Sequence, residues 1–338
     1  MWEVECEALP GLEELLEGEV RRVPGAGRGL RFDFAGPVAA LLRLRIAQSV
    51  YLVVPVASAR PTGLLGEQQL RRLEGAVALV RTLHRRDSIR SFRLGAAGYH
   101  SSTFRRLASE LSRRTGLAFD PDDGDLLLRV RRSRDGWEAL LRISPRPLST
   151  RSWRVRNMAG ALNATIAAAM VELTEPLESD RFANLGCGSA TLLIERLLRA
   201  PAGQALGYDR DPAALEAARA NIAAAGLEGH VQLVRADLER LPREAASVEA
   251  LVADLPYGNL VGSHAANTRL YPAILREAAR LAVRGARFAG THATVEVEVR
   301  GVGALTVHAP PDTRIALGAA VVVCVPSPAC TVVPDPPS

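Results

Sequence analysis

From residue 180 onward, short apolar runs alternate with amphipathic ones, and no other feature of the sequence limits the fold as tightly. RFANLG reads as a strand, SATLLIERLLRA as a helix and QALGYD as a strand. DPAALEAARANIAAAG is then helical, VQLVRAD and VEALVADLP are strands, and LYPAILREAARLAV is a helix. RFAGTH, TVEVEVRGV and AAVVVCVP supply the last strands. Strands joined by crossover helices build a doubly wound α/β domain around a mostly parallel sheet. Such sheets bind ligands at the carboxyl ends of their strands, near the point where strand order reverses.

The first part of the chain has another rhythm. MWEVECEA alternates like a strand, PGLEELLEGEVRRV is helical, LRFDFAG is a strand, VAALLRLRIAQ is helical and SVYLVVPVAS is β-rich. That order predicts a ferredoxin-like α+β module over residues 1–60. A second α+β module follows at 61–147. Its helix YHSSTFRRLASELSRRTG has Ser101, Ser102 and Thr103 as cap candidates and Gly116 as its stop. A hairpin turns about Arg134-Asp135-Gly136. Residues 148–176 read as linker and helix, 177–326 as the α/β domain and 327–338 as a flexible proline-rich tail.

The 338 residues contain no lysine, so arginine carries all 42 basic charges, against 37 acids. Residues 1–157 hold 27 arginines and 18 acids, whereas 158–338 hold 15 and 19. A basic front half suits a polyanionic partner. Apolar content of 48% favours buried cores over disorder. No apolar run approaches the roughly 18 residues of a membrane span. The acidic start lacks the basic region of a signal peptide. A cytoplasmic monomer is therefore expected. Cys6, Cys187, Cys324 and Cys330 are too scattered for a disulfide frame or a zinc site, so no metal is expected.

The chemistry-bearing residues fall at strand ends. In NLGCGSA, Gly186 and Gly188 lie between a strand and a helix, where glycine lets the backbone approach a ligand. Thr191 stands where a strict G-x-G-x-x-G fingerprint has its third glycine, and no lysine marks a phosphate loop. Asp209 ends the next strand, placed to accept bonds from ribose hydroxyls, while Asp211 before Pro212 suits a helix cap. Asp237 ends the third strand, where a carboxylate can accept a bond from an adenine amino group. The fourth end is DLPYG. An exocyclic amine on a base is a poor nucleophile because its lone pair is delocalised. Asp254 and the Leu255 carbonyl can accept its two N–H bonds, Pro256 can fix the turn, and Tyr257 can stack the ring. Singly, each acid serves equally well as a cap. Four successive strand ends form a set.

These residues carry a resemblance. CGSATLLIE and DLPYG are similar to the glycine loop and the D/N-P-P-Y/F motif of class I methyltransferases acting on base amines. SFRLGAAGYHSSTFRRLASELSRRTG and RISPRPLSTRSWRVR extend the likeness, which then covers nearly the whole chain. The chain resembles the THUMP-domain tRNA guanine-N2 methyltransferases of the type acting at acceptor-stem position 6. The resemblance implies S-adenosylmethionine as cofactor and tRNA as partner. It implies that Asn163, Asn184, Gly186, Gly188, Thr191, Asp209, Asp237 and Asp254 hold the cofactor, with Asp254, Pro256 and Tyr257 at the reacting amine. Candidate RNA contacts are Arg105, Arg106, Arg151, Arg154 and Arg156. Three positions depart from the family pattern: Asn184 replaces an acid, Ala190 a glycine and Leu255 a proline. The motif alone fits adenine N6 or another guanine as well, and a non-catalytic RNA-binding protein stays open.

Overall fold

A seven-stranded sheet, in the order β2-β1-β3-β7-β6-β4-β5, organises the first of two units in the computed structural model, Met1–Thr150. The structure describes residues 1–242, 244, 247–255 and 264–281, plus three short strands further on. The unit runs β1 (Trp2–Glu7), α1 (Glu13–Arg21), β2 (Arg31–Phe34), β3 (Ser49–Val56), α2 (Glu67–Thr82), β4 (Ser91–Gly95), α3 (Ser102–Thr115), β5 (Ala118–Phe119), β6 (Leu126–Ser133) and β7 (Gly136–Arg142). The segments 1–60 and 61–147 share this one sheet, because β3 pairs antiparallel with β7 from Tyr51↔Arg142 to Val56↔Trp137. The predicted hairpin is present, closed at Ser133↔Gly136. Helix α3 ends where expected, at Gly116 in the left-handed conformation.

The helix expected for VAALLRLRIAQ is instead a short 3₁₀ turn, Val38–Arg43. Its buried residues, Val38 and Leu41, are three apart, the period of a 3₁₀ helix. Glu19 explains why it stops. Its carboxylate accepts the Arg45 and Ile46 amides at 2.8 and 2.9 Å, which holds that backbone out of a helix. Burial raises the Glu19 carboxyl pKa, and those two amides act against the rise.

The second unit, Arg151–Ser338, is the α/β domain. It contains α4 (Ala164–Glu172), β8 (Arg181–Leu185), α5 (Thr191–Arg199), β9 (Gln204–Asp209), α6 (Pro212–Ala224), β10 (Gln232–Arg235), β11 (Ala250–Ala253) and α7 (His264–Leu281). Strands β12 (Val295–Val299) and β13 (Gly303–Val307) form an antiparallel pair of their own, and β14 (Val322–Val323) joins β11. TVEVEVRGV thus yields β12, and β13 begins at the residue after it. RFAGTH and the tail lie outside the described residues. The parallel sheet runs β10-β9-β8-β11-β14, so strand order reverses between β8 and β11. One core packs Phe182, Ala205 and Val252 with residues of α4, α5 and α6. The other packs Ala183, Leu185, Leu206, Leu251 and Ala253 with Ile274 and Ala278 of α7. A strand covered on both faces is expected to be largely apolar, which is why ALVA is a continuous apolar run and Asn184 is the one polar residue of FANL.

Arginine also works inside this unit. Arg196 is fully buried and donates to the carbonyls of Leu177, Ala200 and Pro201 at 2.6–2.9 Å and to Asp180 at 3.1 Å. Arg151 pairs with Glu195 at 2.9 Å, with side chains 7% and 0% exposed. Removing one partner of such a pair strands a buried charge, which costs about 3–5 kcal/mol. Glu195→Ala should therefore destabilise the second unit by about that much in chemical denaturation. Arg151→Met with Glu195→Leu should recover most of the loss.

Candidate functional site

The strand ends converge around the glycine loop. Asn184, in the last turn of β8, is buried, and its Nδ2 donates to the Val252 carbonyl on β11 at 3.1 Å. Its Oδ1 is buried and has no partner among the described residues. Gly186 and Gly188 have φ of +66° and +50°, the left-handed region that favours glycine. A Cβ built on Gly186 would lie 3.9 Å from the Asp254 carbonyl, so the loop and the end of β11 are neighbours. Asp209 sits at the end of β9, where one oxygen accepts the Gly188 amide at 2.9 Å and the other the Asp211 amide at 3.0 Å. That bond fixes the loop against the carboxylate and leaves further lone pairs on both oxygens.

Ala190 replaces the expected glycine yet keeps the left-handed conformation, φ +68°. The strain of about 1–2 kcal/mol for an L-residue is partly offset by its methyl, buried in the core of α4, α5 and α6. Asp211 caps α6, accepting the Ala213 amide. Asn163 caps α4 through the Thr165 amide at 2.8 Å. Thr191 begins α5, and its hydroxyl receives a bond from Arg154 at 2.9 Å. Asp237 is exposed, with Oδ1 accepting the Glu239 amide at 3.0 Å.

Asp254 follows β11 directly, and burial pushes its carboxyl up to about 7. Leu255 beside it is buried. Pro256 and Tyr257 lie outside the described residues. No sequence motif points to Tyr271 on α7, whose hydroxyl pKa is raised by burial and then by the charge of Asp254. Met158 and Asn221 were equally unread. Met158 Sδ lies 4.0 Å from a Cβ built on Gly188.

The arginines separate. Arg105 and Arg106 stand exposed on α3, and Arg156 is exposed. Arg151 and Arg154 turn inward instead: Arg151 pairs with buried Glu195, and Arg154 binds the Leu162 carbonyl and Thr191. Their guanidiniums are engaged by partners within the chain. A cavity of about 650 Å³ lined by Trp2, Glu67, Gln68, Arg71, Arg72 and Gly75 belongs to the first unit and holds no strand-end residue. Among the described residues no side-chain cluster could hold a metal, and no helix is long and apolar enough to cross a membrane.

Residues 151–299 match the UPF0020 family, described as RMKL-like, methyltransferase domain. A tRNA (guanine(6)-N2)-methyltransferase of Thermus thermophilus is 31% identical over 309 residues, covering 86% of this chain and 88% of that protein. The chain belongs to that family of guanine-N2 methyltransferases. The mouse tRNA (guanine(6)-N(2))-methyltransferase THUMP3 is 30% identical over 131 residues, 36% of this chain, which spans only 26% of the mouse protein. The crystal structure of TrmN from Thermus thermophilus superposes with a TM-score of 0.61 at 26% identity, covering 83% of this chain and 86% of that one.

The cofactor of the family is S-adenosylmethionine, and the residues fit it. The orphaned Asn184 oxygen can accept from an ammonium, the glycines leave room, and Asp209 can accept from ribose hydroxyls.

The Asp254 carboxyl has a pH signature. Its pKa is raised from 3.8 unfolded to about 7 folded, so the folded state holds the proton more tightly. The stability this contributes is complete below about pH 4 and is lost as pH rises through about 7. Asp254→Asn cannot ionise. Its Tm relative to wild type should climb across that window and level off above it; a flat difference would show that Asp254 is not buried as drawn.

Proposed function

We propose that the chain transfers a methyl group from S-adenosylmethionine to N2 of guanosine 6 in the acceptor stem of tRNA, acting as a cytoplasmic monomer. The observation that carries this is Asp254, partly buried at the end of β11 beside the glycine loop and on the strand-order reversal, with its carboxyl pKa raised by desolvation. The nearly full-length likeness to the Thermus enzyme supports the choice of guanine and of position 6. Residues 61–147 are taken as the THUMP module and 1–60 as the ferredoxin-like one, both on the basic side of the chain.

When bound, the sulfonium supplies an electrophilic methyl carbon. The rest is positioning by this chain. The target guanine leaves its stem, since a base inside a duplex is out of reach. The Asp254 carboxylate and the Leu255 carbonyl accept the two N2–H bonds, which turns the amine lone pair toward the methyl group. By their place in the DLPYG motif, Pro256 is assigned the turn and Tyr257 the stacking of the base. Holding both reactants in line supplies much of the rate. The new N–C bond forms as the S–C bond breaks, and N2 then loses a proton. A carboxyl near 7 is matched to accept it at neutral pH.

Mass-spectrometric mapping of a methylated tRNA transcript should find N2-methylguanosine at position 6 alone. N6-methyladenosine, or methylation elsewhere, would overturn the assignment. Asp254→Ala should bind tRNA within about twofold of wild type yet transfer no methyl group. Wild-type turnover at saturating substrate should rise with pH through about 7, because the ionised carboxylate is the acceptor.

Arg105 and Arg106 project from α3 with no ion pair among the described residues. Arg105→Ala with Arg106→Ala should weaken tRNA binding and lower the slope of log affinity against log salt by about two. An unchanged slope would place the RNA elsewhere.

A further inference from the structure

Between Arg151 and α4 the chain runs as a strap without regular structure. Trp153 is buried in the core, Arg151 is held by Glu195, and Arg154 by Thr191 and the Leu162 carbonyl. Beyond these anchors residues 156, 157, 159 and 160 are exposed. A strap with no ladder of its own needs outside partners for its backbone.

Asn221 on α6 provides them. It is fully buried, and its amide is in use at both ends. Oδ1 accepts the Arg156 amide at 2.8 Å. Nδ2 donates to the Arg156 carbonyl at 2.9 Å and to the Ser189 carbonyl at 3.1 Å. One side chain therefore ties the strap backbone to the glycine-loop backbone, one residue from the Gly188 amide that Asp209 holds. All three bonds go to main-chain atoms, so they are independent of the side chains at 156 and 189. Without them an apolar residue would suit this face of an alanine-rich helix better, because a buried amide is costly unless paired.

We propose that Asn221 is a positioning residue for S-adenosylmethionine: it fixes the strap at residues 156–160 against the glycine loop, making the strap a rigid wall of the cofactor site at Gly188. This rests on the cofactor assignment above. Met158, packed toward Gly188, is the side chain the strap presents there. Loss of Asn221 leaves the wall in its binding arrangement for only a fraction of the time, and apparent affinity falls by that fraction.

The test is calorimetric binding of S-adenosylmethionine to the full chain, with tryptic cleavage after Arg156 read by mass spectrometry. Asn221→Ala removes all three bonds; Asn221→Asp keeps the acceptor and loses both donors. Arg219→Ala, on the exposed face of the same helix, is the control. Both Asn221 variants should raise the Kd for S-adenosylmethionine about tenfold or more, corresponding to a wall correctly placed a tenth of the time. KM for the cofactor should rise while kcat at saturation stays within about threefold. Cleavage after Arg156 should accelerate in both variants, and saturating cofactor should suppress it in the wild type. Arg219→Ala should change none of these.

A lowered Tm with Kd within twofold of wild type would make Asn221 merely structural and overturn the inference. If Asn221→Ala does not fold, Arg154→Gln frees the strap from Thr191 while Asn221 stays. It should shift Kd in the same direction, and an unchanged Kd would again overturn the inference. Wild-type protein that binds no cofactor would overturn the cofactor assignment and the inference together. Wild-type binding with unaffected variants overturns the inference alone.

Discussion

The parallel pairing of β8 between β9 and β11 is the constraint from which the site follows. Asn184 lies level with Gly207 and Val252, and Leu185 with Tyr208 and Ala253. The residues that come next, Gly186, Asp209 and Asp254, therefore emerge together at one edge. A slip of one residue would turn the buried side chains of β8 to the opposite face, so the two cores hold the register and the register holds the site. Gly207 shows how tight this is. A Cβ there would come within 2.6 Å of Leu193 on α5 and 2.8 Å of Leu233 on β10. Any side chain there would have to displace the Leu193 and Leu233 methyls and crowd the Cys187 sulfur of the glycine loop, 3.1 Å away.

The α/β half was legible because each of its elements declares itself. Buried parallel strands are short apolar runs, and their helices are amphipathic or alanine-rich. The strand-end acids were legible as a set: any one carboxylate after an apolar run can cap a turn, as Asp209 and Asp237 do, but successive strand ends in order are harder to account for that way. Long-range partners were hidden. Nothing local in VAALLRLRIAQ reveals that Glu19 will take the Arg45 and Ile46 amides and stop a helix there. Nothing in SVYLVVPV says that β3 will pair with a strand more than eighty residues later rather than close a module by itself. Asn221 did leave a trace. It sits three residues after Ala218 and seven after Ala214, on the buried stripe of α6, where a polar residue needs a partner. Its partners are main-chain groups of the strap and loop, and only the folded chain shows them.

Arginine content needs the same separation. A lysine-free chain with a basic front half suggests a broad nucleic-acid grip, yet many of its guanidiniums are structural. Arg31 and Arg131 share Glu5 and Glu138 across the sheet, Arg129 takes Glu7, and Arg114 gathers Glu67, Glu74 and Glu110. Arg196 serves three carbonyls and a carboxylate from one planar fork. A lysine ammonium has three donors on a single atom and could not span those acceptors. Charge that is paired at this range adds little to the field a polyanion meets. The guanidiniums without ion pairs among the described residues include those of Arg105 and Arg106 on α3 and of exposed Arg85 and Arg86 after α2. The basic residues therefore divide into exposed guanidiniums on the first unit and the inward-turned Arg151 and Arg154, which brace the strap through Glu195, Thr191 and the Leu162 carbonyl.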